Sequence, residues 1–374
     1  MIKETAIKVL FLIHDLGVGG AEKVLVSLVN HMDRSKYDIS VIALFGGGVN
    51  EQFLAPHIHY HAVWKKTIPG NSKIMKLLTP QQLHRLCVKK HYDVEVAYLE
   101  GPSARIISGC SDPKTKLFGW IHIEQHTEEC AARAFRSFAE SERCYERFDQ
   151  IICVSETVRQ DFLRIYPGVR NVAVRYNTIE TDKIQSMKQE AIEDVIFREA
   201  EMNLVAVGKI SKNKGVDRLA RIVKRLRDAG LPVHLYALGV GEDQAEIETW
   251  LRNNNLTDYF TFLGYRINPY KYVAKCDLFV CASLAEGFST AATEALIVGT
   301  PVCTVEVSGM REMLGEHDEY GIVTENDENS LYEGIMRLLK DPGLLAYYRQ
   351  QAEKRGKSFS TEHTVKAVED ILKG

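Results

Sequence analysis

Short apolar runs alternate along the chain with segments whose apolar residues recur every three to four positions. "IKVLFLI" (7–13) reads as a buried strand, and "AEKVLVSLVNHM" (21–32) as a helix with Val24, Leu25, Leu28, Val29 and Met32 on its inner face. Further strand runs follow at "YDISVIAL", "VEVAYL", "KLFGWI" and "QIICVS". A second series comprises "NLVAVGKI", "VHLYALG", "FTFLG", "LFVCAS" and "TPVCTV". Strands alternating with helices predict an α/β protein whose parallel sheets are covered on both faces. The two series predict two doubly wound, Rossmann-like domains, 1–180 and 201–355, facing each other across a ligand cleft, with a polar linker at 181–200. The last segment, 356–374, contains "STEHTVKAVEDILKG", an amphipathic helix with Val365, Val368, Ile371 and Leu372 on one stripe.

Composition adds limits. The 374 residues suit two ordinary domains, and 45% hydrophobic with 26% charged residues is a globular balance. A net charge of −3 argues against a general nucleic-acid binder. The eight cysteines form no CxxC pair and several lie in apolar runs, which suits a reducing, cytoplasmic setting. The first apolar run is too short for a signal peptide or a membrane span. One window departs from the average. From Gln52 to Tyr92 there is no acid, while Lys65, Lys66, Lys73, Lys76, Arg85, Lys89 and Lys90 interleave with Trp64, Ile68, Ile74, Met75, Leu77 and Leu78. Residues 64–90 therefore read either as a solvated basic surface or as a patch for the anionic inner face of the plasma membrane.

Three stretches carry candidate chemistry. "GVGGAE" (17–22) is a glycine turn between strand and helix, where the backbone of Gly19 and Gly20 can approach a phosphate at a helix N-terminus. It is not a GxGxxG, and "ISVIAL" runs into Phe-Gly-Gly-Gly with no acid for a dinucleotide ribose, which counts against a dehydrogenase. "VGKISKNKG" sets Lys209 and Lys214 five apart on a loop leaving a strand, two ammonium groups able to clamp a diphosphate. "EGFSTAATE" puts Glu286 on a loop, Gly287, Phe288 and Ser289 at a helix start, and Glu294 inside that helix behind small alanines. Spaced in this way, the two carboxylates suit two portions of an extended, hydroxyl-rich ligand. Glu100, Glu124 and His126 follow strands and are candidates to face an acceptor. "HIHYH" aligns His57, His59 and His61 but offers no fourth zinc ligand, "HIEQH" has the wrong offset for a zinc protease, and no D-x-D occurs.

With Glu286 and Glu294 in an E-x7-E pattern, followed by "EALIVGTPV" and preceded by "GGAE", "VSETV", "NTIE" and "LGVGE", the chain resembles the retaining glycosyltransferases of family GT4 over essentially its whole length. The resemblance implies the GT-B fold and transfer of a hexose or N-acetylhexosamine from a nucleotide sugar, UDP-linked, to a hydroxyl of a glycan or lipid-linked glycan in surface polysaccharide or glycolipid synthesis. It implies that Glu286 contacts donor-sugar hydroxyls, Glu294 the ribose, Lys209 and Lys214 the diphosphate, and that His122 of "WIHIE" lies by the donor sugar. It implies no metal and no cofactor beyond the donor, and a last helix that returns to the first domain. Lys209 stands where arginine is common, and "NTIE" where "NGID" is usual, which bears on Asn177. A GT-B nucleotide-sugar epimerase or a sugar phosphorylase is the alternative.

Overall fold

The computed structural model describes residues 6–67 and 70–373, apart from the Ser72 side chain; Ile68 of the basic window lies outside them. The chain divides into two compact units, residues 1–178 with 361–374, and residues 179–360. Each is built on its own parallel sheet.

In the first unit the strands are β1 (Ile7–Ile13), β2 (Tyr37–Phe45), β3 (His59–Trp64), β4 (Val94–Ala97), β5 (Lys116–Ile121), β6 (Gln150–Cys153) and β7 (Val172–Val174). They lie in the order β3-β2-β1-β4-β5-β6-β7, every pairing parallel. β1 runs through the middle with Val9, Leu10, Phe11, Leu12 and Ile13 all fully buried, as a strand covered on both faces must be. The edge strand β3 carries His59 and His61 on exposed positions, and Asp38 Oδ1 lies 3.1 Å from His59 Nε2. Among the described residues the three histidines do not converge on one point with other ligands.

In the second unit β8 (Met202–Val207), β9 (Val233–Leu238), β10 (Phe260–Gly264), β11 (Leu278–Cys281), β12 (Val302–Val305) and β13 (Ile322–Thr324) lie in the order β10-β9-β8-β11-β12-β13, again all parallel. Helices Val216–Asp228 and Glu328–Lys340 cover this sheet, burying Leu219, Ile222, Val223, Leu226, Leu331, Ile335 and Leu338 in one cluster. Both sheets are Rossmann-like, with the same order over six strands and β7 as an additional edge strand of the first.

The segment expected as a linker is part of the second unit. Residues Thr181–Met187 form a helix with Ile184 buried, and Gln185 Nε2 donates to Ile297 O. The tail helix, Thr361–Lys373, buries Val365, Val368 and Leu372 in the first unit. There Asp33 N–H donates to Glu369 Oε1 at 2.7 Å and Tyr37 Oη to Glu369 O at 3.0 Å. Among the described residues no helix is long and apolar enough to cross a membrane.

Candidate functional site

In a doubly wound sheet, successive crossovers leave in opposite directions at one pair of central strands, which opens a crevice at their C-terminal ends. In the second unit that pair is β8 and β11, and the chain leaving them carries Lys209, Lys214 and Glu286. After β8 a single 3₁₀ turn, Lys212–Lys214, ends at Gly215, whose φ of +64° opens helix Val216–Asp228. A Cβ there would lie 2.1 Å from Ala282 O, so only glycine lets this loop rest on the end of β11. Leu284 N–H donates to Asn213 O at 2.8 Å, and Arg218 Nη1 to Ala282 O at 3.1 Å, which joins the two strand ends.

This contact brings the charges together. Lys214 Nζ donates to Glu286 Oε1 at 2.6 Å, and the buried Ser283 Oγ donates to the same oxygen at 2.7 Å. The Glu286 side chain is 11% exposed and that of Lys214 32%, so the pair is shielded yet reachable. Its short charge-assisted bond fixes an ammonium group and a carboxylate side by side. Lys209 does not join them. It pairs with Glu242 at 2.8 Å, with both side chains more than half exposed.

Gly287 and Phe288 lead from Glu286 into helix Thr290–Val298. Ser289 caps it, its Oγ accepting from Ala292 N–H at 3.3 Å. The helix is apolar and buried nearly all round, with Ala292, Ala295, Leu296 and Ile297 in the core. Glu294 is therefore a buried carboxylate, 7% exposed, just over one turn inside the helix. The expected loop position of Glu286 and helical position of Glu294 both hold. Ser283, Arg218 and Asn326, which accepts from Arg218 Nη1 at 2.9 Å, escaped the sequence reading. They carry no motif, and only the folded loops show their roles.

In the first unit the corresponding strands are β1 and β4. Gly19 caps and Gly20 begins helix Gly20–His31 after β1. Glu100 follows β4 and His122 follows β5, and His122 N–H donates to Glu100 Oε2 at 2.9 Å. Burial raises the Glu100 carboxyl above its ordinary pKa and lowers the His122 imidazole to about 3, so the imidazole is neutral. Its Nε2 is buried without a hydrogen-bond partner, and its ring lies against Tyr98 with centroids 5.0 Å apart. Glu22, in the first turn of helix Gly20–His31, is raised to about 7, chiefly by burial. In the sequence Glu22 only closes "GVGGAE", with nothing to mark its desolvation.

Glu124 and His126 converge with Asp161 within 4.8 Å. Asp161 Oδ2 already accepts Gln125 N–H at 2.7 Å and His126 N–H at 3.1 Å, and Arg164 pairs with its other oxygen. Asp161 and Arg164, which donates to His126 O at 2.8 Å, therefore fasten the loop after β5, with His126 at a φ of +60°. Asn177 follows β7 at the edge of the first unit. The basic window divides. Lys65, Lys66, Lys73, Arg85, Lys89 and Lys90 are exposed, as are Ile74 (54%) and Leu77 (79%), whereas Met75 is buried and Trp64 stacks on Phe45.

Comparison with known proteins extends these observations. The family models described as "Glycosyltransferase Family 4" and "Glycosyl transferases group 1" match residues 18–183 and 187–355. A Campylobacter jejuni protein, N-acetylgalactosamine-N,N'-diacetylbacillosaminyl-diphospho-undecaprenol 4-alpha-N-acetylgalactosaminyltransferase, is 28% identical over 96% of this chain and 97% of its own. The crystal structure of Anabaena HepE in complex with UDP-glucose superposes with a TM-score of 0.74 and 19% identity, over 98% of this chain and 99% of that one. Sucrose-phosphate synthase of Thermosynechococcus elongatus gives a TM-score of 0.77 and 17% identity, over 98% of each. At such identities the two structures speak for the fold.

Proposed function

This chain belongs to the GT4-type glycosyltransferases of the GT-B fold, and from that premise we propose that it moves a hexose or N-acetylhexosamine, with retention, from a UDP-sugar to a hydroxyl of a lipid-linked glycan. The observation that carries this reading is the Lys214–Glu286–Ser283 set at the ends of β8 and β11. An ammonium group for phosphate and a carboxylate for sugar hydroxyls stand in contact there. Similarity to the Campylobacter jejuni transferase, whose name states a diphospho-undecaprenol acceptor, supports the acceptor class.

In this reading the second unit holds the donor. Lys214, Lys209 and the backbone from Gly287 to Ser289 receive the diphosphate, Glu286 the sugar and Glu294 the ribose. As the bond from the anomeric carbon to the phosphate oxygen lengthens, negative charge grows on that oxygen, where Lys214 counts most. The acceptor hydroxyl oxygen bonds to the same face of the anomeric carbon, and its proton passes to the departing phosphate. The lysines supply the positive charge, so the reaction requires no divalent metal. The first unit carries the acceptor-side groups Glu100, Glu124 and His126. Its exposed lysines, with Ile74 and Leu77, dock on an anionic membrane, where each lysine facing the lipid adds about 1 kcal/mol.

The test offers UDP-glucose, UDP-N-acetylglucosamine and UDP-N-acetylgalactosamine, each with and without a polyprenyl-diphosphate-linked sugar. UDP release should depend on the acceptor, the new linkage should be α by NMR, and EDTA should leave the rate unchanged. An inverted linkage or loss of rate in EDTA would overturn retention or metal independence. Conversion of the UDP-sugar to an isomer without acceptor would indicate an epimerase, and dependence on phosphate a phosphorylase.

A further inference from the structure

A glycine turn ahead of a helix is ordinarily free to hold an anion, but in this chain the place is taken. A Cβ built on Gly19 would lie 2.0 Å from Glu22 Oε2 and 2.7 Å from the Glu22 carboxyl carbon. The carboxyl of Glu22 thus folds back over Gly19, against the N-terminus of its own helix, Gly20–His31. Gly19 has an extended backbone, φ −151°, so conformation does not demand glycine there; the carboxyl does. A phosphate entering this turn would meet a carboxyl group where it needs bare N–H groups.

The groups around the turn suit a neutral ligand. Asp15 hydrogen-bonds His14 Nδ1 at 2.6 Å and Gly17 N–H at 2.7 Å, which holds its carboxyl below its ordinary range and leaves that charge bonded within the loop. Desolvation raises the pKa of the half-buried Glu100, and His122 is neutral with an unpartnered, buried Nε2. Burial first, then the charges of Asp15 and Glu100, raise Glu22 to about 7, against the pull of its own backbone N–H and of His14. These strand ends therefore present a neutral imidazole and carboxyl groups whose ionisation is disfavoured, a hydrogen-bonding surface poorly suited to an anion.

We propose that Glu22 is a sugar-binding residue, its carboxyl hydrogen-bonding a hydroxyl of a neutral hexose or N-acetylhexosamine, and that the turn from Gly17 to Gly20 reads sugar instead of phosphate. The inference rests on the transferase reading above, and adds to it a specificity residue in the first unit. The protonated carboxyl is a donor as well as an acceptor, so sugar binding weakens as pH rises through about 7 and Glu22 ionises.

The experiment compares wild type with Glu22→Ala, Glu22→Gln and Gly19→Ala, reading KM for donor and acceptor separately, Kd for UDP alone, and the pH profile. Glu22→Ala should raise one sugar KM roughly tenfold, the worth of one hydrogen bond, and leave the UDP Kd unchanged. Which KM rises assigns the hydroxyl to donor or acceptor. Gly19→Ala, which displaces the carboxyl without removing it, should raise the same KM. Glu22→Gln, which keeps a donor and an acceptor, should restore most of the loss and flatten the profile between pH 6 and 8. Unchanged circular dichroism and thermal transitions of the first unit show that each variant is folded. Wild-type sugar KM values in both Glu22 variants, or a roughly tenfold change in UDP Kd, would overturn the proposal. A wild type inert toward every nucleotide sugar would instead remove the transferase reading, and this inference with it.

Discussion

Lys209 and Lys214 look equivalent along the chain but occupy different physical settings. Lys214 meets a carboxylate 11% exposed, whereas Lys209 meets one 61% exposed, where solvent screens the attraction. Their substitution should separate accordingly. Lys214→Ala removes the shielded ammonium group and leaves Glu286, among the described residues, with the Ser283 hydroxyl, so kcat should fall roughly 10²- to 10³-fold. Lys209→Ala should change kcat by less than about tenfold, as removal of a screened surface charge does. Steady-state kinetics on both variants decides the point, and equal losses would mean that both lysines meet the diphosphate on the same terms. Glu294→Ala should act differently again, weakening UDP binding by calorimetry more than it lowers kcat.

The short helix Asn71–Leu77 shows how an element can depend on distant side chains. Seven residues cannot hold a helix alone. Its end is held from outside: Arg105 donates to Met75 O and Leu78 O, each at 2.8 Å, and Arg136 to Lys76 O at 2.7 Å and Leu77 O at 2.9 Å. Glu140 accepts from Arg105 at 3.0 Å and from Arg136 N–H at 2.7 Å. Four carbonyls thus receive guanidinium N–H groups, and Ile74 and Leu77 are left facing outward. Leu77→Ser should therefore leave Tm unchanged but reduce sedimentation with anionic vesicles. Arg105→Met takes from the buried Glu140 its closest guanidinium partner and should cost about 3–5 kcal/mol by chemical denaturation, along with vesicle binding. Vesicle binding equal to wild type in Leu77→Ser would remove the membrane role of this helix. The sequence displayed what is local. "EGFSTAATE" contains its own strand end, loop, cap and helix, so Glu286 and Glu294 were legible there. The group of Glu22, Glu100 and His122 was not, because the ends of β1, β4 and β5 bring together residues a hundred positions apart. β7 and β13 have three residues each, too few to show a period, and the helix Thr181–Met187 takes its anchor from Ile297, far along the chain.

At the scale of the whole molecule, the second unit is one continuous stretch and the first is not. Helix Thr361–Lys373 contributes Val365, Val368 and Leu372 to the first unit, a burial worth on the order of 5 kcal/mol, comparable to the entire stability of a domain. Truncation after Ser360 should accordingly destabilise the first unit selectively. Calorimetry should show one transition lowered and one unchanged, with UDP binding to the second unit retained. A single, unshifted transition would reduce the helix to a surface ornament.

The same helix governs the order in which the protein can be made. Asp33 and Tyr37 emerge from the ribosome before the second unit, yet their partner, Glu369, lies 336 and 332 residues later, beyond it. The second unit can close as soon as its own stretch is out. The first, though begun earlier, must wait with the Asp33 N–H and the Tyr37 hydroxyl unpaired until helix Thr361–Lys373 has followed the second unit out. The unit that is begun first thus finishes folding second, and a peptide of residues 361–374 supplied in trans should complete a chain that stops at Ser360.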